Sequence, residues 1–182
     1  MPNAKITARA TGKDPGKTNY AVQVFETGND NTIELKGKTS LTGNIYTNTG
    51  TDKVIIESGS KLKGCLQGVE KLEFDLNDPA QAKNVLWESA EEVGVGIDLG
   101  IDLNIDLEPG LTGDFRLVKK QSGDKWSSIF DSICLGGDGT GVLVSGDAAE
   151  SDYLSAFYSD GNYNFSLKED KNTLILSVSS ID

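Results

Sequence analysis

The chain has 182 residues, with 17 basic and 28 acidic side chains, a net charge of −11, no histidine, and 21 glycines against four prolines. The missing imidazole excludes Ser-His-Asp and Cys-His catalysis and the HExxH zinc site, and the acidic balance makes nucleic acid and anionic membranes poor partners, because phosphate binding needs clustered Lys and Arg. No apolar run approaches the roughly 20 residues that span a bilayer, and a chain of this length suits one domain or one elongated module.

The opening Met1-Pro2-Asn3-Ala4-Lys5 lacks the apolar stretch of a secretory signal. Two expectations follow: a chain that is not exported, or an internal piece of a longer one. Short apolar stretches then alternate with Gly, Asn, Asp, Thr and Ser, the grammar of strands and turns. A repeat appears at a spacing of 21. Tyr20, Leu41 and Leu62 form one series and Val24, Ile45 and Leu66 another. Gly43 matches Gly64, Ile33 matches Val54, and Leu35 matches Ile56. A repeat of this size reads as a solenoid of short strands, with equivalent apolar side chains piled into columns about 4.8 Å apart. The rival is an antiparallel sandwich whose hairpins recur near the same spacing. At the next repeat the register is expected to slip to about 20, setting Phe74 and Leu76 on Val54 and Ile56.

Asp78-Pro79-Ala80-Gln81-Ala82 interrupts the pattern. Asp as N-cap and Pro at the first helical position predict a short helix to about Glu91; a loop followed by a strand at Val85-Leu86-Trp87 competes with it. From Val93 to Leu107 every odd position is aliphatic and every even one is Gly, Asp or Asn. Strict period two predicts a strand, bent at Gly100 or Asn104 because the run is long for one strand and ended by Glu108-Pro109-Gly110. Beyond Pro109, hairpin strands are expected at 115–118, 126–129, 142–144, 153–158, 163–167 and 173–178, with turns at 160–162 and 169–172. Eight of the thirteen aromatics lie here. Large rings suit the end of a stack, which otherwise exposes an apolar face and an open strand edge.

With these residues in view the sequence resembles the passenger domains of bacterial autotransporters. The likeness spans about residues 20–180. It rests on the coil phrase L-x-G-x-[IL] with a serine just before it, at Ser40–Ile45 and Ser60–Leu66 (the second copy reading S-x-L-x-G-x-L), on the Gly/Asn/Asp turn before each aliphatic strand, and on the closing order of Phe115-Arg116-Leu117-Val118-Lys119, Tyr163-Asn164-Phe165-Ser166-Leu167 and Asn172-Thr173-Leu174-Ile175-Leu176. The resemblance implies a secreted right-handed β-helix with an aromatic, hairpin-containing C-terminal cap. It also implies the role of a surface stalk, adhesin or matrix protein, here a fragment or a separately secreted relative without the membrane barrel.

Candidate chemistry is sparse. Asp98, Asp102 and Asp106 recur every four residues on the wet face of the long strand, about 13 Å apart if straight. That is too far to share a calcium ion with oxygens at about 2.3–2.6 Å, so solubilising charge is the expected role. The run Leu135-Gly136-Gly137-Asp138-Gly139-Thr140-Gly141-Val142 resembles one copy of a calcium-binding Gly-Asp roll. It has Gly141 where the roll has Asp, and reads as a turn. A phosphate loop is ruled out by the absence of a following Lys-Ser/Thr pair. Cys65 and Cys134 fit no metal spacing. Carbohydrate cleavage survives without His, because two carboxylates about 5–9 Å apart suffice, yet no pair stands out. Trp87 reads as core filler before it reads as a sugar platform.

The expected fold is all-β: a right-handed parallel β-helix of about 20–21 residues per coil with a C-terminal antiparallel hairpin cap. It forms one elongated domain over 1–182, with coils over 20–108 and C-terminal coils plus aromatic cap over 109–182. The expected function is a non-enzymatic, monomeric cell-surface or secreted module that meets a host or cell-surface glycan or protein. A polysaccharide-active or polysaccharide-binding β-helix is the alternative. No catalytic, cofactor-binding or metal-ligating residue is assigned, and calcium is kept as the one ion to test.

Overall fold

Side-chain alternation sets the strands. In Asp52–Glu57 and Val69–Leu76 the side chains Val54, Ile56, Leu72, Phe74 and Leu76 are buried, while the residues between them face outward. That is the behaviour of a half-buried pleated strand. The computed structural model describes residues 5–7, 20–24, 31–47, 52–78, 83–89, 100–136 and 139–181. Among these the chain is mostly β, and no helix is long and apolar enough to cross a membrane.

The strands visit three sheets in rotation. The first round is β1 (Lys5–Thr7), β2 (Tyr20–Val24) and β3 (Thr32–Leu35). The second is β4 (Ser40–Thr42), β5 (Asn44–Thr47) and β6 (Asp52–Glu57). The third is β7 (Lys61–Lys63), β8 (Leu66–Gln67) and β9 (Val69–Leu76). Two later rounds contribute only β10 (Trp87–Glu88) with β11 (Ile101–Leu107), then β12 (Gly113–Lys119) with β13 (Phe130–Leu135). The chain ends in β14 (Gly141–Val144), β15 (Phe157–Ser159), β16 (Tyr163–Asp170) and β17 (Thr173–Ser180). The sheet orders are β1-β4-β7-β10-β12-β17-β16-β15, β14-β13-β11-β9-β6-β3 and β2-β5-β8. The pairings among β1–β13 are parallel, whereas β17 on β12, β14 on β13, and β15, β16 and β17 among themselves are antiparallel. The sheets are therefore mixed, and the antiparallel part lies at the C-terminal end.

The 21-residue spacing is a true register for β3 on β6, β4 on β7 and β5 on β8. Leu41 pairs with Leu62, Ile45 with Leu66, Ile33 with Val54 and Leu35 with Ile56. Glycines stand where strands of different sheets meet, so that backbones approach closely. Asn44 closes one corner by accepting the Cys65 N–H through its buried Oδ1 at 2.8 Å, which satisfies a donor that would otherwise be costly to bury.

Several registers differ from expectation. Val54 and Ile56 receive Leu72 and Phe74, not Phe74 and Leu76: the offset from β6 to β9 is 18, and it is 17 for Asp52 on Val69, on the other side of an irregularity between Asp52 and Lys53. Tyr20 pairs with Asn44 and Val22 with Ile45, so neither Tyr20 nor Val24 joins its predicted series. An irregularity between Tyr20 and Val22 resets that strand. Later offsets grow: Leu62 pairs with Trp87, Leu72 with Leu103 and Leu103 with Ile133. A spacing of 21 thus holds for β3 on β6, β4 on β7 and β5 on β8, and not for the other parallel pairs. Stacking constrains the strands alone, and extra residues are accommodated between them.

Of the two readings at 79–91, the strand expected at 85–87 shares only Trp87 with β10, which is seated in parallel between β7 and β12; residues 79–82 and 90–91 lie outside the described ones. The long alternating run is strand from Ile101, directly after Gly100 with φ +86°; positions 93–99 are likewise outside. The strand expected at 126–129 is instead the short helix α1 (Trp126–Ile129), and 153–158 divides between α2 (Glu150–Ser155) and β15. In α1 the three-residue spacing puts Trp126 and Ile129 on one buried face, where a strand would send them to opposite sides. Strand β13, unannounced by any clear turn signal, pairs in parallel with β11.

Large rings fill the C-terminal core. Trp126 stacks on Phe130 at 6.4 Å, Trp87 meets Phe130 edge-on at 6.3 Å, and Phe115, Tyr153 and Phe165 are buried nearby. Glu150 of α2 closes the start of α1, accepting from the N–H groups of Trp126 (3.1 Å) and Ser127 (2.9 Å) and from the Ser127 hydroxyl (3.0 Å). Burial opposes its charge, but these donors and nearby Lys120 hold its carboxyl below the ordinary 4.5. A lowered folded-state value means that this stabilisation is present above 4.5 and lost as pH falls through the folded value. Glu150→Gln should cost about 1–2 kcal/mol at neutral pH and nothing at strongly acid pH; urea unfolding at the two pH values measures both.

Candidate functional site

Three surfaces carry the polar chemistry. The first is the outer face of the six-stranded sheet, where the register lines up three columns across the strands. One runs Lys53–Lys71–Asp102–Ser132, the next Ile55–Glu73–Asn104–Cys134, and the third Glu57–Asp75–Asp106. Lys53 Nζ meets Glu73 Oε2 at 2.6 Å, Asn104 Nδ2 donates to the same oxygen at 3.3 Å, and Ser132 Oγ donates to Asp102 Oδ1 at 2.5 Å. Asn104 Oδ1 is buried without a hydrogen-bond partner. A groove of about 380 Å³ runs over Lys53, Lys71, Glu73, Asp102 and Asn104.

The acidic column is the closest approach to a pair of catalytic carboxylates. Adjacent strands put Asp75 about 4.8 Å from its neighbours in the ladder. Burial first, then Glu57, Asp106 and Glu73, push its carboxyl above the ordinary 3.8, with Lys36 partly offsetting them. A raised carboxyl beside ionised ones is the electrostatic pattern of a general acid. Glu57, however, is held by the Gly37 N–H at 2.6 Å and by Asn77 Nδ2 at 3.2 Å. Neither the groove nor the cleft described below includes any of the three.

Because the folded-state value is raised, stabilisation by protonated Asp75 is complete below 3.8 and is lost as pH rises through the folded value. Ionised Asp75 therefore costs stability at neutral pH. Asp75→Asn should stabilise by ~0.5 kcal/mol, the scale of a like-charge cross-strand pair, raising Tm by about 1–2 °C. The gain should vanish in acid; calorimetry at both pH values checks it.

The second surface is the outer face of the eight-stranded sheet. Lys61 and Lys63 flank Glu88 at 3.4 Å each, and Lys168 and Ser177 hold Asp114 at 2.6 Å each. These are solvated pairs worth little individually. The third surface is a cleft of about 340 Å³ in the antiparallel region, between the Glu108–Leu111 turn, Gly141 and the β15–β16 loop.

The alternation predicts the aspartates of the long strand on its wet face. Asp102 and Asp106 both face outward on β11, while Asp98 lies outside the described residues. Asp106 is joined not to them but to Asp75 and Glu57 on the neighbouring strands. The only signal for that grouping was the register, which at offsets of 18 and 31 departs from the 21-residue spacing. Trp87 is fully buried, its indole N–H donating to the Gly64 carbonyl at 2.9 Å, so it is no sugar platform. Cys65 is buried and Cys134 half-buried, and no disulfide joins the two. Burial pushes the Cys134 thiol up, against a hydrogen bond with Ser132. Among the described residues no group of three or more Cys, Asp or Glu side chains is placed to hold a metal ion. No protein-family model, no curated protein and no solved structure matches the chain.

Proposed function

We propose that this chain is a segment of right-handed parallel β-helix closed by a C-terminal antiparallel cap, similar to an autotransporter passenger, and that it serves as a non-enzymatic cell-surface or secreted module. The observation that carries the reading is the rotation of strands through three sheets, with apolar columns such as Leu41–Leu62–Trp87–Val118 running across every round from β4 to β12. A stack of this kind spends its sequence on a rigid rod and presents polar faces to solvent, which suits a stalk or an adhesin. Its partners are then host or cell-surface glycans or proteins, and it acts as a monomer outside the cell.

A polysaccharide-active enzyme is the second reading, favoured by the raised carboxyl of Asp75 between Glu57 and Asp106. Incubation with pectin, alginate, xylan, chitin and cellulose, followed by reducing-end and unsaturated-product assays, separates the two. The expected result is no product. Turnover that disappears in Asp75→Asn or Asp106→Asn would replace the module with an enzyme. Location is tested in the source cells, where added protease should remove the epitope-tagged protein without lysis.

A further inference from the structure

We infer that the cleft in the antiparallel region is a binding site for a neutral pyranose sugar. Its volume, about 340 Å³, falls in the range of small-ligand sites, about 300–1,000 Å³. Its walls come from three separate parts of the chain. The first is the Glu108-Pro109-Gly110-Leu111 turn, closed by the Leu111 N–H on the Glu108 carbonyl at 3.3 Å. The second is the start of β14 at Gly141, and the third is the loop joining β15 to β16. Loops fixed by a rigid scaffold are where recognition groups are usually held.

The inner side is aromatic. Tyr158 and Tyr163 lie against buried Phe165 with centroids at 6.0 and 6.4 Å, tilted by 39° and 55°. Gly141 makes room for this: a Cβ there would sit 3.2 Å from Tyr158 Cε1 and 3.0 Å from Leu135 Cβ. Both tyrosines are half-buried. Their rings pack toward the core, and neither hydroxyl has a hydrogen-bond partner among the described residues.

The rim is polar and lacks cations. Asp160 commits Oδ1 to the N–H groups of Asn162 (2.8 Å) and Tyr163 (2.7 Å), which fixes the loop and leaves Oδ2 to the cleft. The Asn162 amide and the Glu108 carboxylate have no partner among the described residues. Two carboxylates with no Lys or Arg in the lining repel uronates, sialylated sugars and phosphates. A purely apolar ligand would strand the carboxylates and the amide without hydrogen bonds, a costly outcome. A simple cation would use the carboxylates but not the N–H and O–H donors of Asn162 and the tyrosines. A neutral pyranose uses all of them. Its C–H face packs on a tyrosine ring, and its hydroxyls both donate to carboxylates and accept from the amide. This rests on the surface-module reading for its biological sense and names the ligand class of that module.

The test follows amide NMR signals of the full chain during titration with lactose, cellotriose, maltotriose and triacetylchitotriose, with sialyllactose and choline as charged counterparts. At least one neutral probe should move the Tyr158, Asn162 and Tyr163 signals saturably in the millimolar range or below. Asn162→Ala and Glu108→Gln, both at exposed positions, should each weaken that binding about three- to tenfold, the loss of one or two hydrogen bonds, with unfolding midpoints unchanged. Silence from all four neutral probes, shifts confined to another face, indifference to both variants, or tighter binding of sialyllactose or choline would overturn the site. Sugar cleavage in the same tubes would instead remove the non-enzymatic reading and leave the binding site standing.

Discussion

Gly68→Ala should lower Tm by about 10 °C or more and cost about 4 kcal/mol or more. Gly68 stands between β8 and β9 with φ +75°, and a Cβ built there would lie 2.0 Å from the Thr47 carbonyl oxygen on the neighbouring round. The obstacle is backbone, not the end of a flexible side chain. Relief therefore requires two strands to separate, and with them the hydrogen bond from Thr47 Oγ1 to the Gly68 carbonyl at 2.5 Å. The left-handed conformation alone costs about 1–2 kcal/mol for a residue with a Cβ; the collision places the change among the exceptional losses above 4 kcal/mol, about 2–4 °C of Tm per kcal/mol at this size. Gly110→Ala is the internal control. Gly110 has φ +92° but nothing within 4 Å of its would-be Cβ, so only the conformational term remains. Circular-dichroism melts of the two variants should differ by at least about 5 °C; equal shifts would mean that the strands are not seated on one another at this corner.

The second large effect is expected at Trp87. Its indole is fully buried in the column between Leu62 and Val118, edge-on to Phe130, with its N–H on the Gly64 carbonyl. Trp87→Ala should cost about 3–5 kcal/mol through lost burial and the cavity left behind. Trp87→Phe keeps most of the volume and leaves the carbonyl without its donor, for about 1–3 kcal/mol. The position adds a cooperative consequence. β10 has only two residues and is the link in its sheet between the early rounds and the C-terminal aromatic core. In this sheet β7 and β12 are joined through β10, so weakening that link should loosen the coupling between its two sides. Hydrogen exchange of Trp87→Ala is expected to find β4–β9 opening at lower free energy than β16 and β17, with a smaller difference expected in the wild type. A uniform loss across the chain would contradict this role.

Local chemistry made much of the β architecture legible. Alternation in 101–107, the paired L-x-G-x-[IL] phrases and the turn residues before Thr173 each point to strands and corners through steric and burial rules that act within a few residues. The β16–β17 hairpin is one such case. Lys171 and Asn172 both adopt positive φ, the turn geometry that matches strand twist. Candidate-site chemistry was far less legible. Glu57, Asp75 and Asp106 are 18 and 31 residues apart along the chain and meet only because strands pair at those offsets. The cap cleft takes its groups from three turns with no shared motif.

What the amino-acid order determined by itself is the class: strand-forming, strongly acidic, free of imidazole, and periodic at 21 where Leu41 lies over Leu62 and Ile45 over Leu66. What only the tertiary structure decided is register and helix against strand. β9 pairs with β6 two places from the expected register, at an offset of 18 and not 20, since ladder pairing tolerates any offset that keeps apolar side chains inward. Trp126–Ile129 became helical because Glu150, 24 residues from Trp126, supplies the acceptor its N–H groups lack, while both apolar residues turn into one core. Four residues have too little intrinsic preference to choose a conformation, so the choice fell to the partners that packing brought to them.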